Sequence, residues 1–143
     1  MTYTFDGYNY LIRLEHGERL AAAFEQFCRE TKISGAWVSG LGAAEEVTLG
    51  YYDLGKKEYQ WQTLQGLREI AAMQGNIALD EQGSRVFHLH GVFADESLQT
   101  VGGHVKDLVA GATVELFVHR AYKPMHRKMD EAVGLQLLDL QRE

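Results

Sequence analysis

Arg85-Val86-Phe87-His88-Leu89-His90-Gly91-Val92-Phe93-Ala94 is the stretch on which the reading of the fold turns. It follows the turn-forming Asp80-Glu81-Gln82-Gly83 and is rich in β-branched and aromatic residues, which predicts a strand over 85–94. In a strand, alternate side chains share a face. His88 and His90 therefore project together, while Phe87 and Leu89 point the other way. Two residues of strand rise set the imidazoles roughly 7 Å apart at Cα, close enough to converge on one ion.

Working outward from this strand, short apolar or alternating runs recur between turns. Tyr8 to Leu14 alternates as a strand, and after His16-Gly17-Glu18 the residues Leu20, Phe24, Phe27, Cys28 and Thr31 form a helical stripe at spacings of three and four. Ala36 to Gly42 reads as a small-residue strand entering a turn. Val47 to Asp53 and Glu58 to Leu64 read as a hairpin across Leu54-Gly55-Lys56-Lys57. Glu69 to Leu79 is apolar around Gly75, a glycine placed for a bulge or a close backbone approach. Beyond the central strand lie Thr100 to Val105 and the alternating Ala112 to Ala121. The tail after Pro124 fits a terminal strand or a short helix over 134–138. One helix and about seven or eight short strands predict the α+β class, an antiparallel or mixed β-sheet packed with one main α-helix.

A chain of 143 residues can bury one core, and its lone proline and scattered glycines mark no linker, so residues 1–143 read as a single domain. No apolar run reaches the roughly 20 residues of a membrane span. The N-terminus lacks the basic and apolar regions of a signal peptide, so the expected compartment is the cytoplasm. The single cysteine, Cys28, lies on the apolar helix stripe and reads as a buried, inert thiol. Net charge is −6, which argues against autonomous tight binding of nucleic acid. The densest basic segment, Arg120 to Lys128, reads as a solvated surface or a subunit contact.

His104 supplies a third imidazole. It follows Gly102-Gly103, a pair that lets the backbone pass close to another strand. Three neutral imidazoles suit zinc, and also iron, nickel or copper, and leave an open position on a tetrahedral ion. His-x-His with a third histidine is less specific than paired Cys-x-x-Cys motifs, and two histidines on one strand face also suit a solvent-exposed surface. His16 and His126 read as surface residues, and nothing in the pattern orients His119 towards a site. A jelly-roll cupin reading of Gly83, His88, His90, Glu96 and Gly102 fails, because Glu96 falls late and the second cupin block is missing.

The succession Glu69-Ile70, Gly75-Asn76-Ile77, His88-Leu89-His90, Gly102-Gly103-His104-Val105 and Glu115-Leu116 resembles the motif order of the plants-and-prokaryotes-conserved domain. Gly66-Leu67-Arg68-Glu69-Ile70 is similar to the Gly-Arg-Phe-Glu-Ile block of its plant members, and the resemblance covers nearly the whole chain. It implies a sheet packed by a helix, a homotrimer, and a divalent transition metal, zinc for preference, held by His88, His90 and His104. Plant members carry in addition Arg-Gly-Arg-Pro segments that enter the DNA minor groove. This sequence has none, and its only proline lies in Tyr122-Lys123-Pro124. Two functional classes follow. One is a metal-binding oligomeric module with a regulatory or DNA-binding role. The other is a metal-dependent hydrolase or lyase acting on a small molecule, with Glu69 or Glu115 as base.

Overall fold

The computed structural model describes residues 1–142. Its elements run β1 (Thr2–Phe5), β2 (Asn9–Glu15), α1 (Leu20–Thr31), β3 (Ala36–Asp53), β4 (Glu58–Leu79), β5 (Arg85–Ala94), β6 (Thr100–Arg120), β7 (Arg127–Asp130) and β8 (Leu135–Leu138). The helix forms where the apolar stripe predicts it, burying Leu20, Ala23, Phe24, Phe27 and Cys28, and it stops at Lys32 in the left-handed region (φ 58°). Its first turn is fixed from the sheet: the Asp107 carboxylate on β6 accepts from the Ala21 N–H at 3.0 Å, placing negative charge at the positive helix end.

The α+β expectation is corrected. The chain is mostly β, with a single 12-residue helix beside strands of 18, 22 and 21 residues. Segments separated in the sequence reading fuse, so 36–42 joins 47–53, 58–64 joins 69–79, and 100–105 joins 112–121. The intervening residues do not break the ladders. They shift register between Gly40 and Gly42 and between Ala44 and Glu46, and such bulges bend a strand without ending it. The N-terminal β1 was not foreseen, and it pairs antiparallel with β2.

Six strands form the main sheet in the order β1-β2-β6-β3-β4-β5, with β5 also pairing β6. Strands β3, β4, β5 and β6 thus hydrogen-bond in a closed cycle, and α1 packs on the apolar face. The core draws Ile12, Leu14, Val38, Leu89, Phe93, Val105, Val114, Leu116 and Val118 from alternate strand positions. Strands β7 and β8 form a separate two-stranded ribbon. Two backbone bonds dock the segment leading into it, Leu79 N–H to the Met125 carbonyl (2.8 Å) and Met125 N–H to the Ser34 carbonyl (3.1 Å). Among the described residues, no helix is long and apolar enough to cross a membrane.

Gly75 makes the tightest backbone approach beside the central strand. A Cβ there would lie 1.9 Å from the His88 carbonyl oxygen, in a strand pair that cannot separate without losing its ladder. Gly75→Ala is therefore expected to cost about 3 kcal/mol or more, above ordinary overpacking. Urea denaturation checks this; a loss below about 1 kcal/mol would mean that β4 and β5 can part locally.

Candidate metal centre

Register brings the histidines together. His90 on β5 stands directly across from His104 on β6, and Leu89 across from Val105, so both imidazoles occupy the face opposite the buried Leu89–Val105 pair. His88 lies two residues upstream on the same face, opposite Asn76 of β4. One nitrogen from each ring falls within 4.8 Å of the others, with ring centroids 5.1–5.4 Å apart. The Gly102-Gly103 pair acts as the sequence suggested: a Cβ on Gly103 would meet the Gly50 carbonyl oxygen of β3 at 2.8 Å. Gly50 pairs with His104, and its missing side chain leaves room for Tyr59 and Trp61, which pack against the His104 ring at 5.0 and 5.9 Å.

One charged group joins the cluster. Arg127 on β7 is only 5% exposed, and its Nη2 donates to Asn76 Oδ1 (2.8 Å) and to His88 Nδ1 (3.0 Å), while Nη1 donates to the Gln136 carbonyl (2.7 Å). No carboxylate lies within 4 Å of its guanidinium among the described residues. Sequence reasoning missed Arg127, grouping it with the surface basic segment Arg120 to Lys128. The usable signal was the alternation in Arg127–Asp130, which as a strand turns Arg127 inward and Lys128 outward.

The sequence model of the Plants and Prokaryotes Conserved (PCC) domain matches residues 1–121. The chain belongs to this family. A solved protein from Ralstonia eutropha, provisionally named as DNA-binding, shares 32% identity at a TM-score of 0.89, covering 96% of this chain and 95% of that one. A metal-containing protein from Archaeoglobus fulgidus shares 29% at 0.83 (96% and 98%). A plant- and prokaryote-conserved protein from Pyrococcus horikoshii shares 26% at 0.84 (99% and 97%). No curated protein matches the sequence.

Within this PCC chain, the residues present fit a metal ion. Burial, then the Arg127 charge and the neighbouring His90, push His88 down to about 4. Burial and the two other histidines push His104 down to about 4 as well. Both rings are thus neutral near pH 7. His104 Nδ1 is buried without a hydrogen-bond partner. Nitrogens on one tetrahedral ion sit about 3.4 Å apart, which small side-chain rotations here would reach.

The other candidates are elsewhere. Glu69 lies opposite Ala94, seven residues from the position facing His88, roughly 20 Å away at strand rise. Glu115 lies eleven residues from His104, and both carboxylates are exposed. His119 bonds Asn9, and the exposed His16 faces Glu45. His126 is half-buried with its Nδ1 covered, not a surface residue. Cys28 is fully buried, and desolvation pushes its thiol up to about 11, as an inert core thiol requires.

The depressed histidines set a pH dependence. Above about 6.5 the folded and unfolded rings are both neutral and contribute no slope. Between about 6.5 and 4 the unfolded chain binds more protons at His88 and His104, so stability falls as the pH falls, levelling below about 4. Denaturant titrations of chelator-treated protein should show this loss, and His88→Gln with His104→Gln should flatten it. An unchanged slope in the double variant would refute the assignment.

Proposed function

We infer that this PCC-family chain is a metal-binding module in which His88, His90 and His104 hold one divalent transition metal, zinc for preference. The observation that carries the reading is the convergence of three imidazole nitrogens within 4.8 Å, with His88 and His104 held neutral by burial. The metal-containing Archaeoglobus relative supports it from outside. A bound ion would supply Lewis acidity and an open position for an oxygen ligand. This chain's own residues supply the surroundings. Asn76 and Arg127 sit behind His88, Tyr59 and Trp61 pack along His104, and no Asp or Glu belongs to the ligand cluster among the described residues. With no Asp or Glu in that cluster, we favour a binding or regulatory role over hydrolysis. Arg127 reaches the ligands from beyond the matched residues 1–121, which supports reading 1–143 as one functional unit.

A homotrimer is the assembly we favour. The outer face of β2, β6 and β3 exposes Leu11, Phe117, Trp37 and Leu41, at 41–57%, alternating with the core residues of the same strands. A groove of about 780 Å³ runs along this face past Tyr3, Leu11, Leu41 and Phe117. Contiguous apolar surface of this kind suits a subunit contact. DNA, suggested by the name of the Ralstonia relative, is not the ligand we favour. Net charge is −6, and Arg127 has turned inward from the one dense basic segment.

Metal analysis of untagged protein tests the site. One zinc per chain is expected, and His90→Ala should weaken binding by more than about 100-fold, beyond the 10–100-fold that a residue behind a ligand commands. Equal metal content in His88→Ala, His90→Ala, His104→Ala and the wild type would overturn the assignment. Light scattering tests the assembly: three times the 16.1-kDa chain is expected, and Leu41→Glu should shift it towards the single chain. A wild-type monomer at micromolar concentration would exclude the trimer.

A further inference from the structure

We propose that Arg127 is a specificity-determining residue that recruits a small carboxylate to the open position of the three-histidine centre. The inference rests on the metal reading above and concerns what that metal would meet.

Two observations carry it. The first is electrostatic. Arg127, a residue only 5% exposed, keeps its charge, and a buried charge is costly unless an opposite charge compensates it. Arg127 has only neutral partners, namely Asn76, His88 and a backbone carbonyl, and its Nε is buried with no partner at all. The second observation is the proton arrangement at His88. Arginine only donates, so His88 Nδ1 must accept from Nη2 at 3.0 Å, and the ring's own proton sits on Nε2.

That arrangement has to change when a metal takes either nitrogen. If the ion takes Nδ1, it claims the lone pair that Arg127 uses. If it takes Nε2, the proton moves to Nδ1 and two donors face each other. On either nitrogen, loading the centre turns the Arg127–His88 contact from attraction into repulsion and frees a guanidinium N–H beside a dication. An anion between the two cations relieves both. A carboxylate has the matching chemistry, one oxygen for the metal and one for the guanidinium. Three neutral imidazoles leave the ion's charge unneutralised, so the centre itself also favours an anionic fourth ligand. No covalent change is involved.

Metal and carboxylate should then bind with positive coupling that depends on Arg127. The test measures Zn²⁺ affinity by chelator competition, using the full chain in the presence of acetate or of uncharged acetamide. For the wild type, acetate should tighten Zn²⁺ binding about tenfold relative to acetamide. For Arg127→Gln the difference should vanish, while Zn²⁺ affinity in acetamide rises because the repulsion is gone. Arg127→Lys keeps a charge without the planar fork and should give a smaller coupling. Equal acetate responses in wild type and Arg127→Gln overturn the proposal. Should circular dichroism show Arg127→Gln unfolded, the wild-type comparison decides: no preference for acetate over acetamide overturns it. Failure of the wild type to bind Zn²⁺ any better than His90→Ala sinks the three-histidine reading and this inference together. Tight zinc binding without acetate coupling sinks only the role of Arg127.

Discussion

The pairing of His90 with His104 across β5 and β6 is the constraint from which the rest of the site follows. Side chains alternate along a strand, so a slip of one residue would place the two rings on opposite faces. The core holds the register. Leu89 and Phe93 on β5 and Val105 on β6 are each 3% exposed or less, and a slip would expose them at a cost of about 2 kcal/mol apiece. The close approach of Gly75 locks the same strand to β4, and β3 meets β6 at Gly50 opposite His104. Closing the cycle of four strands thus fixes the ligand positions on the solvent side by burying apolar side chains on the other.

Charge at the centre is arranged as closely as geometry. Desolvation keeps His88 and His104 neutral, and Arg127 adds to that effect at both. Burial also lowers the proton affinity of Arg127 from its usual range, with the nearby Tyr59 acting the other way. An arginine so placed costs stability in the folded chain, and Asn76 and the Gln136 carbonyl offset only part of that. Structural economy would favour an apolar side chain of similar volume. A buried cation beside three histidine nitrogens suits the proposed role towards a ligand better than a role in the fold.

The clustering of the three histidines was legible in the sequence because strand alternation is strict and the Gly-Gly pair signals a close approach. The fold class was not. Gly40, Gly42 and the residues near Ala44 read as strand ends, although register shifts carry β3 through them. Counting each half of a bent strand separately made the helix look like an equal partner to the sheet. Glu69 and Glu115 share strands with the site or its neighbours, but their distance along the strand is a register property that composition does not encode. Arg127 was hidden by its surroundings. A residue between His126 and Lys128 in a basic segment looks solvated until pairing with Leu138 turns it inward.

The position of Arg127 outside residues 1–121 separates two tasks within one site. The matched region supplies the three histidines, on strands whose register the core dictates. The β7–β8 ribbon supplies the group that the histidines face, and it is tied down by backbone and side-chain bonds together. Backbone bonds run from Leu79 to Met125 and from Met125 to Ser34, and Tyr52 reaches the Val133 carbonyl while Lys57 reaches the Glu131 carbonyl. Backbone bonds tolerate side-chain replacement. These ties do not use the Arg127 side chain, so a change at position 127 leaves them in place. On the proposed reading, metal retention would belong to the closed sheet and ligand choice to the ribbon.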